Sequence, residues 1–345
     1  MKRFVILLLI VLALVLTGAS VFAEESLLIN FSSLAADYTT GDSQTPNESK
    51  ATLIDFSDKA GTGFTEEDKA LMKTSLAMNN WEIELASSSK TVINQSFSMT
   101  KEVPVRDDAR KFGGEKVMGI RIHFPLESYN SWALVKPPFE IPAYMQKTIV
   151  NEDGTIALDP EDTQGNKFVG YGVLKNVGEI KSVSMWVLGM NFPMGIELIL
   201  KNQNNEEKAL FMGYLNFDGW KEMTWINSNY IQDVRNREME RYPLYPKATP
   251  SYKLVGIRIM KDKEQEGGDF ITYIKEIKMV YDKAVLTLDM DVNNEQVWGI
   301  LGEREQARRT YEFNKLGEIQ VLRSLERKKM HQGQTAPTTG AATTQ

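Results

Sequence analysis

The sequence predicts an all-β protein, a jelly-roll-like antiparallel β-sandwich with short helices and a C-terminal amphipathic helix. Three observations carry this. Apolar and polar residues alternate with a period of two in many short runs, the pattern of strands with one buried face. Polar segments rich in Asn, Asp, Gly and Pro separate those runs. Only the C-terminal part shifts to a helical spacing of apolar residues. At 345 residues, 42% hydrophobic and 25% charged, the chain suffices for one large core, since all-β domains run to roughly 200–250 residues.

Residues 1–23 read as a signal peptide. Lys2 and Arg3 precede an apolar run at 4–16, and Val21-Phe-Ala23 supplies the small-residue cleavage pattern. Such a run suits a signal h-region and falls short of the roughly 20 residues that span a bilayer. Removing Lys2 and Arg3 takes the formal charge from −6 to −8, which argues against a general binder of nucleic acid or anionic membrane. With 0 Cys and 2 His, disulfides, thiolate chemistry and clustered-histidine zinc sites are excluded. An exported chain without cysteine points to a bacterium.

Residues 24–50 are expected to form an N-terminal extension and linker, turn-rich at 37–48, before a β-sandwich domain over 51–290. Its first strand is expected at 51–56. Thr65 then caps a short helix with Asp68 at the third position, the apolar pattern running on to residue 76. Residues 81–85 alternate as a strand. Glu82 and Glu84 share one of its faces, the arrangement a retaining glycosidase needs at about 5 Å, but Trp81, Ile83 and Leu85 opposite make the pair the solvent side of an amphipathic strand. The runs 117–124 and 254–259 both contain Gly-Ile-Arg-Ile, two strands converging on one pattern. His123 has no second histidine near it and reads as a satisfied or exposed side chain.

Three prolines keep Lys136-Pro-Pro-Phe-Glu-Ile-Pro-Ala-Tyr144 out of a sheet, so an extended rim segment displaying its aromatics is expected. Asp153, Asp159, Glu161 and Asp162 lack the EF-hand spacing and read as a solvated loop; no metal or cofactor is expected. The runs 182–188, 196–200 and 210–215 suggest three consecutive antiparallel strands, with a polar turn at 202–207. Asp218-Gly219 suggests another turn, 224–226 a strand, 231–240 a short helix and 241–246 an aromatic and proline loop. Trp132, Phe139, Tyr144, Trp220, Tyr242 and Tyr245 are the candidate exposed aromatic contacts. With Trp186 and Trp225, such rings form a sugar-stacking platform in carbohydrate-binding modules, and elsewhere fill cores or interfaces.

Over 291–331 a helical segment is expected, capped by Asn293-Asn294. It carries Val297, Trp298, Leu301, Tyr311, Leu316, Ile319, Leu322 and Leu325 as an apolar stripe, with a break near 314–317. Its eight Lys and Arg against six Asp and Glu over 295–330 make it basic beside an acidic body. That stripe packs on its own sandwich or on a neighbouring subunit. Arg304, Arg308, Arg309, Arg323, Arg327, Lys328 and Lys329 are the candidate intersubunit or core-facing contacts. Residues 332–345, uncharged and rich in Thr, Ala and Gln, read as a disordered tail.

The stretch 172–189, GVLKNVGEIKSVSMWVLG, the segment 132–139, WALVKPPF, and the charged C-terminal helix together resemble the flagellar filament outer layer (sheath) proteins of spirochaetes, the FlaA family. The predicted sandwich is of the galactose-binding or carbohydrate-binding-module type, and the resemblance spans roughly residues 31–330. The resemblance implies a non-enzymatic periplasmic protein that coats a flagellin core, alongside other sheath subunits, and helps set filament stiffness, shape and motility. An exported carbohydrate-binding module is the alternative, and a glycan on the core would let both hold.

Overall fold

A computed structural model describes residues 23–38, 48–144, 148–150, 156–161, 165–230, 250–284, 292 and 294–334. Residues 1–22 of the expected leader, residues 39–47 of the expected linker, the helix expected at 231–240 and the loop expected at 241–246 with Tyr242 and Tyr245 lie outside the described residues, as do Asp153, Asp162, Asn293 and residues 335–345.

The strands, in chain order, are β1 (Glu24–Asn30), β2 (Ile54–Asp55), β3 (Lys73–Thr74), β4 (Glu82–Leu85), β5 (Met99–Pro104), β6 (Lys116–Phe124), β7 (Ser131–Lys136), β8 (Thr148–Val150), β9 (Ile156–Leu158), β10 (Val173–Lys175), β11 (Val177–Met190), β12 (Gly195–Asn202), β13 (Glu207–Tyr214), β14 (Asp218–Ile226), β15 (Ser251–Lys261) and β16 (Gly268–Lys283). The helices are α1 (Glu66–Ala70), α2 (Val92–Phe97), α3 (Asn294–Trp298) and α4 (Ile300–Gln334).

Two antiparallel sheets form the sandwich. One runs β14-β11-β16-β6-β5 with β1 beside β16, and the other β13-β12-β15-β7-β4 with β10 beside β15. At each position the two orders hold strands that follow one another in sequence, so the chain passes repeatedly from one sheet to the other, as in a jelly roll. Alternation puts Val183, Met185 and Val187 of β11 against Ile196, Leu198 and Leu200 of β12 in the core, all fully buried. Phe270 joins them, edge-on to Phe124 and Phe192 at 6.2 and 5.2 Å.

The expected trio of neighbouring strands is therefore corrected: β12 pairs with β13, while β11 pairs with β14 and β16 in the other sheet. A period of two reports which face is buried, not which strand lies alongside. The turn at 202–207 forms as expected, with Asn202 Oδ1 accepting from the N–H groups of Asn204 and Glu206 and Asn205 at φ 64. Asp218-Gly219 is no turn, for it opens β14 opposite Met190 and Gly189. The strand expected at 51–56 shrinks to β2 behind a 3-10 turn at Lys50–Thr52.

Thr65 and Asp68 form the predicted capping box, but α1 ends at Ala70, where the chain turns into β3. The segment expected to stand apart at the N-terminus contributes β1, whose residues Glu24–Asn30 pair with β16 from Tyr281 back to Glu276. Leu28, Ile29 and Phe31 are fully buried there. No helix among the described residues is long and apolar enough to cross a membrane.

Candidate functional site

Prolines 137, 138 and 142 end β7 and leave backbone groups that no sheet can pair. The C-terminal helix pairs them. Ala143 N–H donates to Glu312 Oε2 at 3.0 Å, Gln320 Nε2 donates to the Pro138 carbonyl at 3.2 Å, and Arg323 Nη1 donates to the same carbonyl. The rim segment is thus a bed for α4 and not a display of aromatics. Phe139 and Tyr144 are buried, 5% and 6% exposed, which corrects the expectation for both. The segment alternates under the helix, turning Phe139 and Ile141 inward and leaving Glu140 at the surface.

Ion pairs fasten this strap. Arg323 grips Glu82 with two nitrogens, at 3.1 and 3.3 Å. Lys328 reaches both oxygens of Asp68, at 2.7 and 3.0 Å. Lys315 joins Lys201 of β12 and Lys253 of β15 around Glu140, at 3.2, 3.0 and 2.9 Å. Burial alone raises the Glu140 pKa, but the hydrogen bonds and charges of Lys253 and Lys201 outweigh it and hold the group down to about 2. The hydrogen bond that Asp68 accepts from Lys328, with those it accepts from Thr65, likewise lowers its pKa.

Gly317 lets α4 come close. A Cβ there would stand 2.5 Å from Lys59 Cγ, and the Lys59 ammonium lies 5.1 Å from the Phe313 ring centroid. The expected break at 314–317 is absent, because a helical glycine is tolerated and here supplies clearance. The break falls at Gly299 instead, at φ +60. Glu295 then accepts from the N–H groups of Leu301 and Gly302 at 3.1 and 2.8 Å, capping α4 from α3.

The predicted apolar stripe does not bury as one face. Leu316 is 5% exposed and belongs to the core, whereas Tyr311, Ile319 and Leu322 are 65%, 40% and 60% exposed. Polar contacts hold the helix down in the stripe's place.

Residues 45–290 match the family described as flagellar filament outer layer protein Flaa. The chain belongs to this family. It is 49% identical over 99% of its length to the flagellar filament outer layer protein of Spirochaeta aurantia, covering 98% of that protein. It is 40% identical to the protein of that name from Treponema pallidum (strain Nichols), over 96% of this chain and 95% of the relative. Among solved structures, a carbohydrate-binding module of the β-sandwich superfamily overlays 58% of the chain and 56% of its own at 12% identity and a TM-score of 0.28; nothing about ligands follows from so small a likeness. The family match stops at residue 290, so α3 and α4 lie beyond it, although both relatives align with nearly the whole chain.

The remaining predicted residues of this FlaA-family chain fall into place around its own contacts. Of the seven basic candidates, Arg323 and Lys328 bind the body and Arg308 pairs with Glu312 one turn on, at 3.1 Å. Arg304 and Arg309 also have partners. Arg327 and Lys329 are exposed, with no ion partner among the described residues. Sequence reasoning missed Lys315, Glu140, Lys201 and Lys253, which lie too far apart in the chain to form any local pattern.

Glu82 and Glu84 are both neutralised, Glu84 by Lys136 at 2.7 Å, whose hydrogen bond holds its carboxyl below the usual range. His123 and Arg121 share Asp269 at 3.0 and 3.1 Å, and these hydrogen bonds lower its pKa. Among the described residues no group of three His, Asp or Glu is placed to hold a metal.

The outward indoles are occupied from within the chain. Phe112 meets Trp186 and Trp220 edge-on, at 5.5 and 5.0 Å, and the Lys111 ammonium sits 3.9 Å over Trp186. Arg258 lies over Trp132, itself 36% exposed. Trp225 instead packs against the core, with the Lys208 ammonium over its ring.

Proposed function

We propose that this protein is a non-enzymatic outer-layer subunit of a periplasmic flagellar filament. In this reading it coats a flagellin core, lies beside other sheath subunits, and contributes to filament stiffness, shape and motility. The observation that carries it is likeness to outer layer proteins over nearly the full length of this chain and of theirs. The physical features agree. A sandwich without cysteine folds after export without oxidation, and carboxylates neutralised by lysine and arginine suit a scaffold better than acid-base chemistry.

Periplasmic placement is supported by the signal-peptide pattern, Lys2-Arg3 with the apolar run behind it. Outward Arg327 and Lys329, with Trp132 and Trp220, are the candidate points of contact with neighbours. The test is immunoelectron microscopy of isolated periplasmic flagella, with filament diameters compared in cells with and without the gene. Label along the filament and a thinner mutant filament are expected. Unlabelled filaments of unchanged diameter, with the protein free in the periplasm, overturn the reading and make glycan-array binding the next measurement.

A further inference from the structure

We propose that α4 is exchanged between copies of this chain, each copy's strap lying in the groove of its neighbour, so that strap and groove form the repeated contact of the coat. The proposal rests on the sheath reading above and names the surface through which a second copy binds.

A helical or head-to-tail array needs two different, mutually complementary patches on every copy. The strap and its bed are such a pair. Lys315, Arg323 and Lys328 on the underside of α4 meet Glu140, Glu82 and Asp68 on the body, at distances of 2.7 to 3.2 Å. The contact is specific, since it includes a bidentate arginine and the backbone groups of Pro138 and Ala143. It is also separable, because Leu316 is the side chain of α4 that enters the core. No strand pairing of either sheet involves α4.

The chain between Ala284 and Asn294 allows a reach of up to about 30 Å. The contact is the same whether strap and groove belong to one copy or two, so local concentration decides between them, and packing on a filament raises it to the millimolar range of a tether, ~1 mM. An exchanged strap also has a body on each side. That accounts for Tyr311 and Leu322, apolar side chains that a strap folded on its own body leaves in water.

The chain has 0 Cys, so introduced pairs report without background. Lys59→Cys with Gly317→Cys is the first pair. A Cβ at 317 would lie 3.1 Å from Lys59 Cβ, close to the ~3.8 Å of a disulfide. Asp68→Cys with Lys328→Cys, joined by a short bismaleimide, is the second and replaces the first if a reduced melt shows that variant misfolded. Each double variant is expressed in cells lacking the parent gene, and filament-bound protein is oxidised or cross-linked and run on denaturing gels.

Exchange gives a ladder of two, three and more copies, while dilute soluble protein gives an internally linked monomer. Filament-bound protein that yields only internally linked monomer, or no link with either pair, overturns the exchange and leaves the sheath role standing. A parent chain that never co-purifies with filaments overturns the sheath role itself.

Discussion

Glu140 ties three parts of the chain together, accepting from β12, β15 and α4 through Lys201, Lys253 and Lys315. Its carboxyl has an ordinary value of 4.5 and is held to about 2 when folded. A group depressed in this way stabilises the fold fully above the unfolded value and loses that contribution as pH falls toward the folded one. Melting temperature should therefore drop between about pH 4.5 and pH 2, and Glu140→Gln should flatten that part of the profile. A variant with the parent's slope would remove Glu140 from the account. At the neighbouring fastening, Arg323→Ala leaves a partly exposed Glu82 without its donor and the Pro138 carbonyl with Gln320 alone. The loss should be about 1 kcal/mol, in the range of partly exposed charged hydrogen bonds. Hydrogen exchange is the measurement: amides of α4 should exchange roughly fivefold faster, while those of β11 and β16 stay unchanged.

Among the elements, α4 belongs to neither sheet and sends Leu316 into the core between them. A chain ended after residue 292 should still fold, with a melting temperature within roughly 5 °C of the parent's, a shift worth about 2 kcal/mol at this size. A collapse of the melt would show that α4 completes the core. The strands themselves were legible, β6, β11, β12, β13 and β15 all standing where the sequence pattern predicted them. So was the Thr65–Asp68 capping box, a signal complete within four residues. What escaped was everything decided by distant parts of the chain. Prolines showed that 136–144 is no strand, but not that a helix would cover it and turn Phe139 and Tyr144 inward. The apolar residues of α4 suggested an ordinary buried stripe, whereas Glu140, Glu82 and Asp68 pull a different, polar face down. Gly317 illustrates the same ambiguity: a glycine in a helical run reads as a breaker until Lys59 appears beneath it.

For the molecule as a whole, stability resides in the layer between the sheets. Phe270 is fully buried there, and Phe270→Ala should cost about 3–5 kcal/mol, as for other large-to-small changes in a packed core. Urea unfolding should show it as a lower midpoint at unchanged slope; a loss under 1 kcal/mol would mean that the layer refills the space. The sheets are closed by their extremities, since β1 pairs with β16 and Glu24 stands opposite Tyr281. That register has a kinetic meaning. The first strand waits for a partner more than 250 residues away, so loop-closure entropy delays its pairing until nearly the whole chain is present. A polypeptide threaded across a membrane from its N-terminus would thus stay unfolded, and so translocatable, until β16 arrived to lock it.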